Sequence, residues 1–448
     1  MSALLHRNLK SAPAIARDGR GIRLTDTSGH TVIDGSGGAA VASIGHSHPR
    51  VLAALRDQLD RLAYAHTGLY SNEPAEALAE ILVGHKPAGL ARAYFVSSGS
   101  EATEAALKLA RQYMLEIGEP QRDRFIARRQ SYHGNTLGAL GVSGNMIRRP
   151  PYEAILPQTV ALVSPCYPYR GKTDGEDDAA YVARLLAEYE ETFQRVGPGR
   201  VAAVFAEPVV GATLGCVAAP PGYFTGLREI CDRHGALLVL DEVMCGMGRT
   251  GTLHAFEQEG IAPDIEIVAK GLGGGYQPIG GLLIAERVVA AMEAGSGIHR
   301  HGHTYSAHPI ACAAALAVQR VMAEDDLVAN CAARGHDLAA ALRARLGDHP
   351  NVGEIRGRGL FYAVEMVADR ATKAPFDPEL GLADRIKYAA FRRGLACYPM
   401  NGTIDGHAGD HVILAPPYIV TAADIDEIVD RLALGIGDAL AECARQAA

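Results

Sequence analysis

Three stretches of the sequence set reactive or charged residues where an apolar run ends. Ala93-Tyr-Phe-Val-Ser97 reads as a strand that runs into Ser98-Gly99-Ser100-Glu101-Ala102 and then a helix over residues 103–114. A glycine turn there offers free backbone N–H groups at a helix N-terminus, which is a seat for a phosphate. The same residues also read as an ordinary helix start, with Ser100 as the cap and Glu104 facing the helix dipole. Leu237-Leu-Val-Leu240 ends in Asp241-Glu242-Val243, which places two carboxylates at a strand end, where open α/β sheets hold ligands. One of them is expected to meet a cation, unless both are solvated. Ile265-Glu-Ile-Val-Ala269 delivers Lys270, followed by Gly271-Leu-Gly273-Gly274-Gly275. A lysine withdrawn from water there loses its proton readily and becomes a nucleophile, whereas a lysine on the surface does neither.

Together the three have one chemical meaning. A phosphate seat, a carboxylate and a strand-end amine are what pyridoxal phosphate requires: an anchor, a partner for the pyridine nitrogen and an amine for the aldehyde.

The elements that must position these groups follow from the apolar pattern. Short runs at 93–97, 125–128, 201–206, 237–240 and 265–269 alternate with amphipathic helices, which predicts a mostly parallel sheet covered by helices. Residues 20–45 read as a small antiparallel meander, followed by a helix from His48-Pro49. Beyond 326 the pattern changes to a helix near 334–346, a strand pair around 355–366, a helix near 382–393, a strand at 412–414 and a final helix from Thr421. The expected organisation is an N-terminal segment 1–65 that belongs with a C-terminal α+β domain 326–448, and a large cofactor-binding domain 66–325.

Composition narrows the partners. The 448 residues are 48% apolar and 21% charged, which fits an ordered globular enzyme and excludes a disordered chain. The net charge is −8 and no Lys/Arg run forms the footprint that nucleic acid needs. No apolar run approaches the roughly 18 residues of a membrane span, and the start lacks the core of a secretion signal, so the expected location is the cytoplasm. Eight cysteines without C-x-x-C spacing read as reduced thiols, with Cys245 singled out only for its place after the Asp241 strand.

On these motifs the chain resembles the class III (ω-type) aminotransferases of the fold-type I pyridoxal-phosphate enzymes, from about residue 20 to the C-terminus. The matching stretches are Ile33-Asp34-Gly35, Gly45-His46, Ser98-Gly-Ser-Glu-Ala102, Tyr132-His133-Gly134, Ala206-Glu-Pro-Val209, Leu240-Asp-Glu-Val243, Ala269-Lys-Gly271, His303-Thr-Tyr305 and Ala415-Pro-Pro417. The resemblance implies a seven-stranded, mostly parallel sheet with a small α+β domain built from both chain ends. It implies Lys270 as the Schiff-base lysine and proton shuttle, and Asp241 as the partner of the ring nitrogen. Gly99 and Ser100 would hold the phosphate, Tyr132 and Val243 would face the two sides of the ring, and His133 and Glu207 would lie close to it. Thr304 would reach the cofactor of a neighbouring subunit, which requires a homodimer or a tetramer. The implied reaction is ping-pong transfer of an amino group from an ω-amino acid, diamine or amine to a small 2-oxo acid such as pyruvate or 2-oxoglutarate. An aminomutase or a decarboxylating transaminase would use the same anchor residues.

The chain departs from the family where substrates are chosen. Ornithine- and GABA-type members pair an arginine with a gating glutamate at positions held here by Ile413 and Ala212. The amine:pyruvate branch carries a mobile arginine before the Pro-Pro, but residues 400–411 contain none. Carboxylate binding therefore falls to Arg148, Arg149 or Arg356, or the acceptor is not a simple keto acid. Tyr64, His66, Leu69, Tyr70 and the loop 142–152 are candidate pocket walls, with core or dimer-interface packing as the alternative. Gly246-Met-Gly248-Arg-Thr-Gly251 satisfies G-x-G-x-x-G, so a nicotinamide dehydrogenase is the rival; no strong helical pattern follows the glycines, as that fold requires. His299, His301, His303 and His308 lack an acidic or cysteine companion at metal-site spacing, and their side chains are expected to point in different directions, so no metal is expected.

Overall fold

The computed structural model describes residues 2–447, so Met1 and Ala448, the outermost positions of the two terminal segments, lie outside it. Its centre is a seven-stranded sheet in the order Leu90–Val96, Gly280–Ala285, Ile265–Val268, Leu237–Asp241, Val201–Ala206, Arg124–Arg128, Val160–Val163. Every neighbouring pair is parallel except the two made by Gly280–Ala285, which runs antiparallel to Ile265–Val268 and to Leu90–Val96. The central strands are continuous apolar runs because helices cover both faces of the sheet. Leu237, Leu238, Val239 and Leu240 are fully buried, and each contributes about 1.5–3 kcal/mol relative to exposure. Two strands, Val160–Val163 and Gly280–Ala285, did not stand out from the sequence pattern.

Both chain ends build a second core. Ala16–Arg20, Arg23–Asp26 and Thr31–Asp34 form the expected meander, and Leu395–Ala396 joins its edge in parallel, with Leu395 opposite Ile33. Val352–Arg358, Phe361–Met366, Asp410–Leu414 and Tyr398–Asn401 make an antiparallel sheet. Ile22, Ile33, Ile44 and Val51 share one apolar cluster with Leu338, Val364, Ile386, Leu414 and Ile428. The C-terminal helices are Leu327–Leu346, Leu382–Arg392 and Ala422–Ala447, the first starting earlier than the pattern suggested. Among the described residues no helix is long and apolar enough to cross a membrane.

Candidate active site

The C-terminal ends of the parallel strands open into a cavity of about 430 Å³. Ser98, Gly99, Ser100, Tyr132, His133, Glu207, Asp241, Val243 and Lys270 all line it, and each arrives on the loop or helix that follows a sheet strand.

Helix Gly99–Glu116 begins at this wall. Ser98, not Ser100, is its cap: Ser98 Oγ accepts from the Glu101 N–H at 3.2 Å. That releases Ser100, whose Oγ accepts from the Asn135 N–H at 3.0 Å and ties the Tyr132 loop to the helix start. Glu104 likewise faces that loop, accepting from the Gly138 and Ala139 N–H groups at 2.7 and 3.2 Å. Gly99 is needed here because a Cβ would stand 3.2 Å from Val243 Cγ2, inside the cavity.

Asp241 is buried, and its Oδ2 accepts from His133 Nδ1 at 2.8 Å while Oδ1 accepts from the Val243 N–H at 2.9 Å. An ionised carboxylate only accepts, so His133 Nδ1 carries the proton. Glu207 is buried nearby, accepting from the Tyr132 N–H and the Gly211 N–H, each at 3.1 Å. Burial raises its pKa, with Asp241 adding to the effect against the pull of His133.

Lys270 opens a short turn, Lys270–Leu272, at a φ of +42°, a left-handed conformation uncommon for a residue with a side chain. Its carbonyl accepts from the Gly273 and Gly274 N–H groups at 3.1 and 2.9 Å, which holds the strained turn. Burial lowers the Lys270 amine to about 8, against the opposing charges of Asp241 and Glu207. At neutral pH roughly one amine in ten is then unprotonated, where an ordinary lysine leaves about one in two thousand.

The second strand-end carboxylate, Glu242, turns the other way. It is fully buried with His254 and Glu266, accepts from the Ala255 and Phe256 N–H groups at 2.6 and 2.7 Å, and is raised well above the usual range by burial and by Glu266. Cys245 is also buried and its thiol is pushed well above 9, so it stays protonated.

Other sequence candidates lie elsewhere. Arg149 does not face the cavity: it donates to the carbonyls of Leu140, Gly141 and Ser143 and pairs with Glu153, closing the loop that carries it. Arg356 is consumed by Glu354, Glu365 and the Gly215 carbonyl. Tyr64, His66, Leu69 and Tyr70 are exposed on this single chain, and Tyr64 OH donates to the Thr304 carbonyl at 3.0 Å. Thr304 itself is exposed. The histidines do not diverge: His301 and His303 meet edge to face with ring centres 4.8 Å apart, and Tyr94 packs on His299 at 4.8 Å. Gly248 and Gly251 pack against Tyr418 and Ala332, and no helix follows them, so that loop offers no dinucleotide seat. Gln277 and Pro278 line the cavity unannounced; the glycine run before them was the available signal.

The profile described as aminotransferase class-III matches residues 5–436. The chain belongs to the class-III aminotransferase family. It is 48% identical, over 96% of its length and 93% of the relative's, to an uncharacterized aminotransferase of Schizosaccharomyces pombe. An amine transaminase from an uncultivated Pseudomonas species, solved in its pyridoxal-phosphate-bound form, superposes with a TM-score of 0.91 at 37% identity, covering 98% of this chain and 99% of that one. An (S)-enantioselective omega-transaminase from Thermomicrobium roseum gives 0.90 at 34% identity, covering 98% and 96%. Class-III aminotransferases use pyridoxal phosphate, and the cavity fits it: a glycine cradle at a helix start that a Cβ would fill, a buried carboxylate and a desolvated amine share one chamber.

Proposed function

We propose that this aminotransferase moves the amino group of an ω-amino acid, diamine or related amine to a small 2-oxo acid by a ping-pong route, with Lys270 as its base. The observation that carries the reading is the single chamber shared by Lys270, Asp241 and the helix start at Ser98–Ser100. Pyridoxal phosphate supplies an aldehyde that condenses with amines and a ring that withdraws electrons from the carbon bearing the nitrogen.

The protein's residues do the rest. The N–H groups at the start of helix Gly99–Glu116, with the positive end of its dipole, hold the phosphate. Asp241 keeps a negative charge in a water-poor site, fixed in direction by His133 and the Val243 N–H, and stabilises a protonated ring nitrogen. Tyr132 and Val243 bound the chamber from two sides, and Glu207 holds the Tyr132 backbone in place. Lys270, unprotonated far more often than a free lysine, takes the substrate Cα proton and returns it to the cofactor side. The exposed Thr304 strand of one protomer completes the phosphate seat of its partner in a homodimer, which accounts for the exposed aromatics Tyr64, Tyr70 and Tyr305 around it.

A two-stage spectroscopic experiment tests this. Adding an amine donor alone bleaches the protein's visible absorbance, and adding pyruvate afterwards restores it; Lys270→Ala stops both changes. An absorbance that responds only when donor and acceptor are present together removes the ping-pong reading.

A further inference from the structure

Beyond Tyr132 lies a second cavity, of about 290 Å³, whose lining is unusual for this acidic chain. Arg7 reaches it from the N-terminal segment, Arg148 from the loop after Tyr132, and Lys387 and His407 from the C-terminal region. Arg148 is the link to the active site: its guanidinium carbon stands 5.0 Å from the centre of the Tyr132 ring, which lines the cofactor chamber. Arg148 and Arg7 both bear on Tyr398 between them: burial raises that hydroxyl, and the two cations pull it back.

Among the described residues neither arginine has a carboxylate within ion-pair reach. Their neighbours show what a partner looks like: Arg149 pairs with Glu153, and Arg356 with Glu354 and Glu365. Two acids do line the cavity, Asp384 and Asp410. Asp410 is spent on the Ala383 N–H at 3.2 Å, and burial pushes it up to about 6. An unpaired guanidinium stacked on an aromatic ring is a planar fork that matches a carboxylate.

Resting on the proposed transaminase reading and narrowing its substrates, we infer that Arg148 and Arg7 form an anion-recognising subsite for donors that carry a carboxylate remote from the reacting amine. With Ile413 and Ala212 in place of a charged pair and no arginine in residues 400–411, this subsite supplies the carboxylate partner that the chain otherwise lacks. A donor chain lies past Tyr132, its amine at Lys270 and its carboxylate on Arg148, with Arg7 closing the outer side.

The test uses the holoenzyme, a matched donor pair and a probe that cannot react. The pair is 6-aminohexanoate and hexylamine, read by the rate of bleaching; the probe is glutarate, titrated calorimetrically. The wild type prefers the acid, and Arg148→Gln lowers the ratio of kcat/KM for acid over amine about tenfold, with Arg7→Gln giving a smaller loss and Arg148→Lys a partial recovery. Glutarate affinity falls in the same order. Equal losses for both donors, or glutarate binding unchanged in Arg148→Gln, overturn the subsite. A wild type that retains cofactor and bleaches with neither donor overturns the proposed function instead, and glutarate still reads the subsite.

Discussion

Asp241 and Glu242 are adjacent carboxylates at the end of the same strand, yet their surroundings differ in kind. Asp241 faces the chamber, accepts from His133 and the Val243 N–H, and stands among groups that act on a ligand. Glu242, on the opposite face because strand side chains alternate, is sealed with Glu266 and His254. Burial pulls the His254 imidazole down, but the Glu266 carboxylate outweighs it and the net shift is upward. A raised Glu242 beside a charged His254–Glu266 pair gives a cluster whose charges cancel internally. One acid is therefore placed for chemistry, and its neighbour for holding the strand end to the turn at Ala255–Glu259 and to strand Ile265–Val268, which delivers Lys270.

Substitutions on the two faces separate these roles. Asp241→Asn is expected to lower turnover about 10²–10³-fold, with bound cofactor and folding stability little changed, read by steady-state rates and denaturant melts. Loss of folding with turnover per folded molecule intact would reverse the assignment. Glu266→Leu leaves His254 charged and unpaired in the interior, and is expected to cost about 3 kcal/mol in denaturant unfolding. Adding His254→Phe removes the stranded charge and recovers most of that loss; a double variant as unstable as the single one shows that packing, not charge, is at stake. The smallest effect concerns Lys270. Its depressed pKa means that the reactive neutral amine accumulates as pH rises to about 8, so cofactor-free protein reloads about tenfold faster at pH 8 than at pH 7 and gains little above that. A reloading rate still climbing tenfold per unit beyond pH 9 would place the amine in ordinary solvent.

The sequence made the strand ends readable because a buried parallel strand is a short unbroken apolar run, and the residue after it must face the ligand edge. That logic locates Asp241 and Lys270. It did not single out Gly280–Ala285, whose two leading glycines weaken the strand pattern, though Gly280 and Gly281 lie where a Cβ would strike the Ser98 and Tyr94 carbonyls. Ser98 and Ser100 are equivalent as cap residues until the Tyr132 loop arrives to claim one of them. Arginines were the least legible. Arg148, Arg149 and Arg356 look alike in sequence, but whether each meets a carbonyl, a carboxylate or an open cavity depends on segments far away in the chain.

The pairing of Ile33 with Leu395 has a consequence for how the molecule is made. A ribosome releases the meander first and its edge strand near the end of synthesis, so the opening segment waits, with Ile22, Ile33 and Ile44 uncovered, until nearly the whole chain has emerged. The large sheet, whose strands all precede residue 286, is free to close before that happens. Assembly of this enzyme thus ends where translation began, and chaperones have the longest access to the first fifty residues.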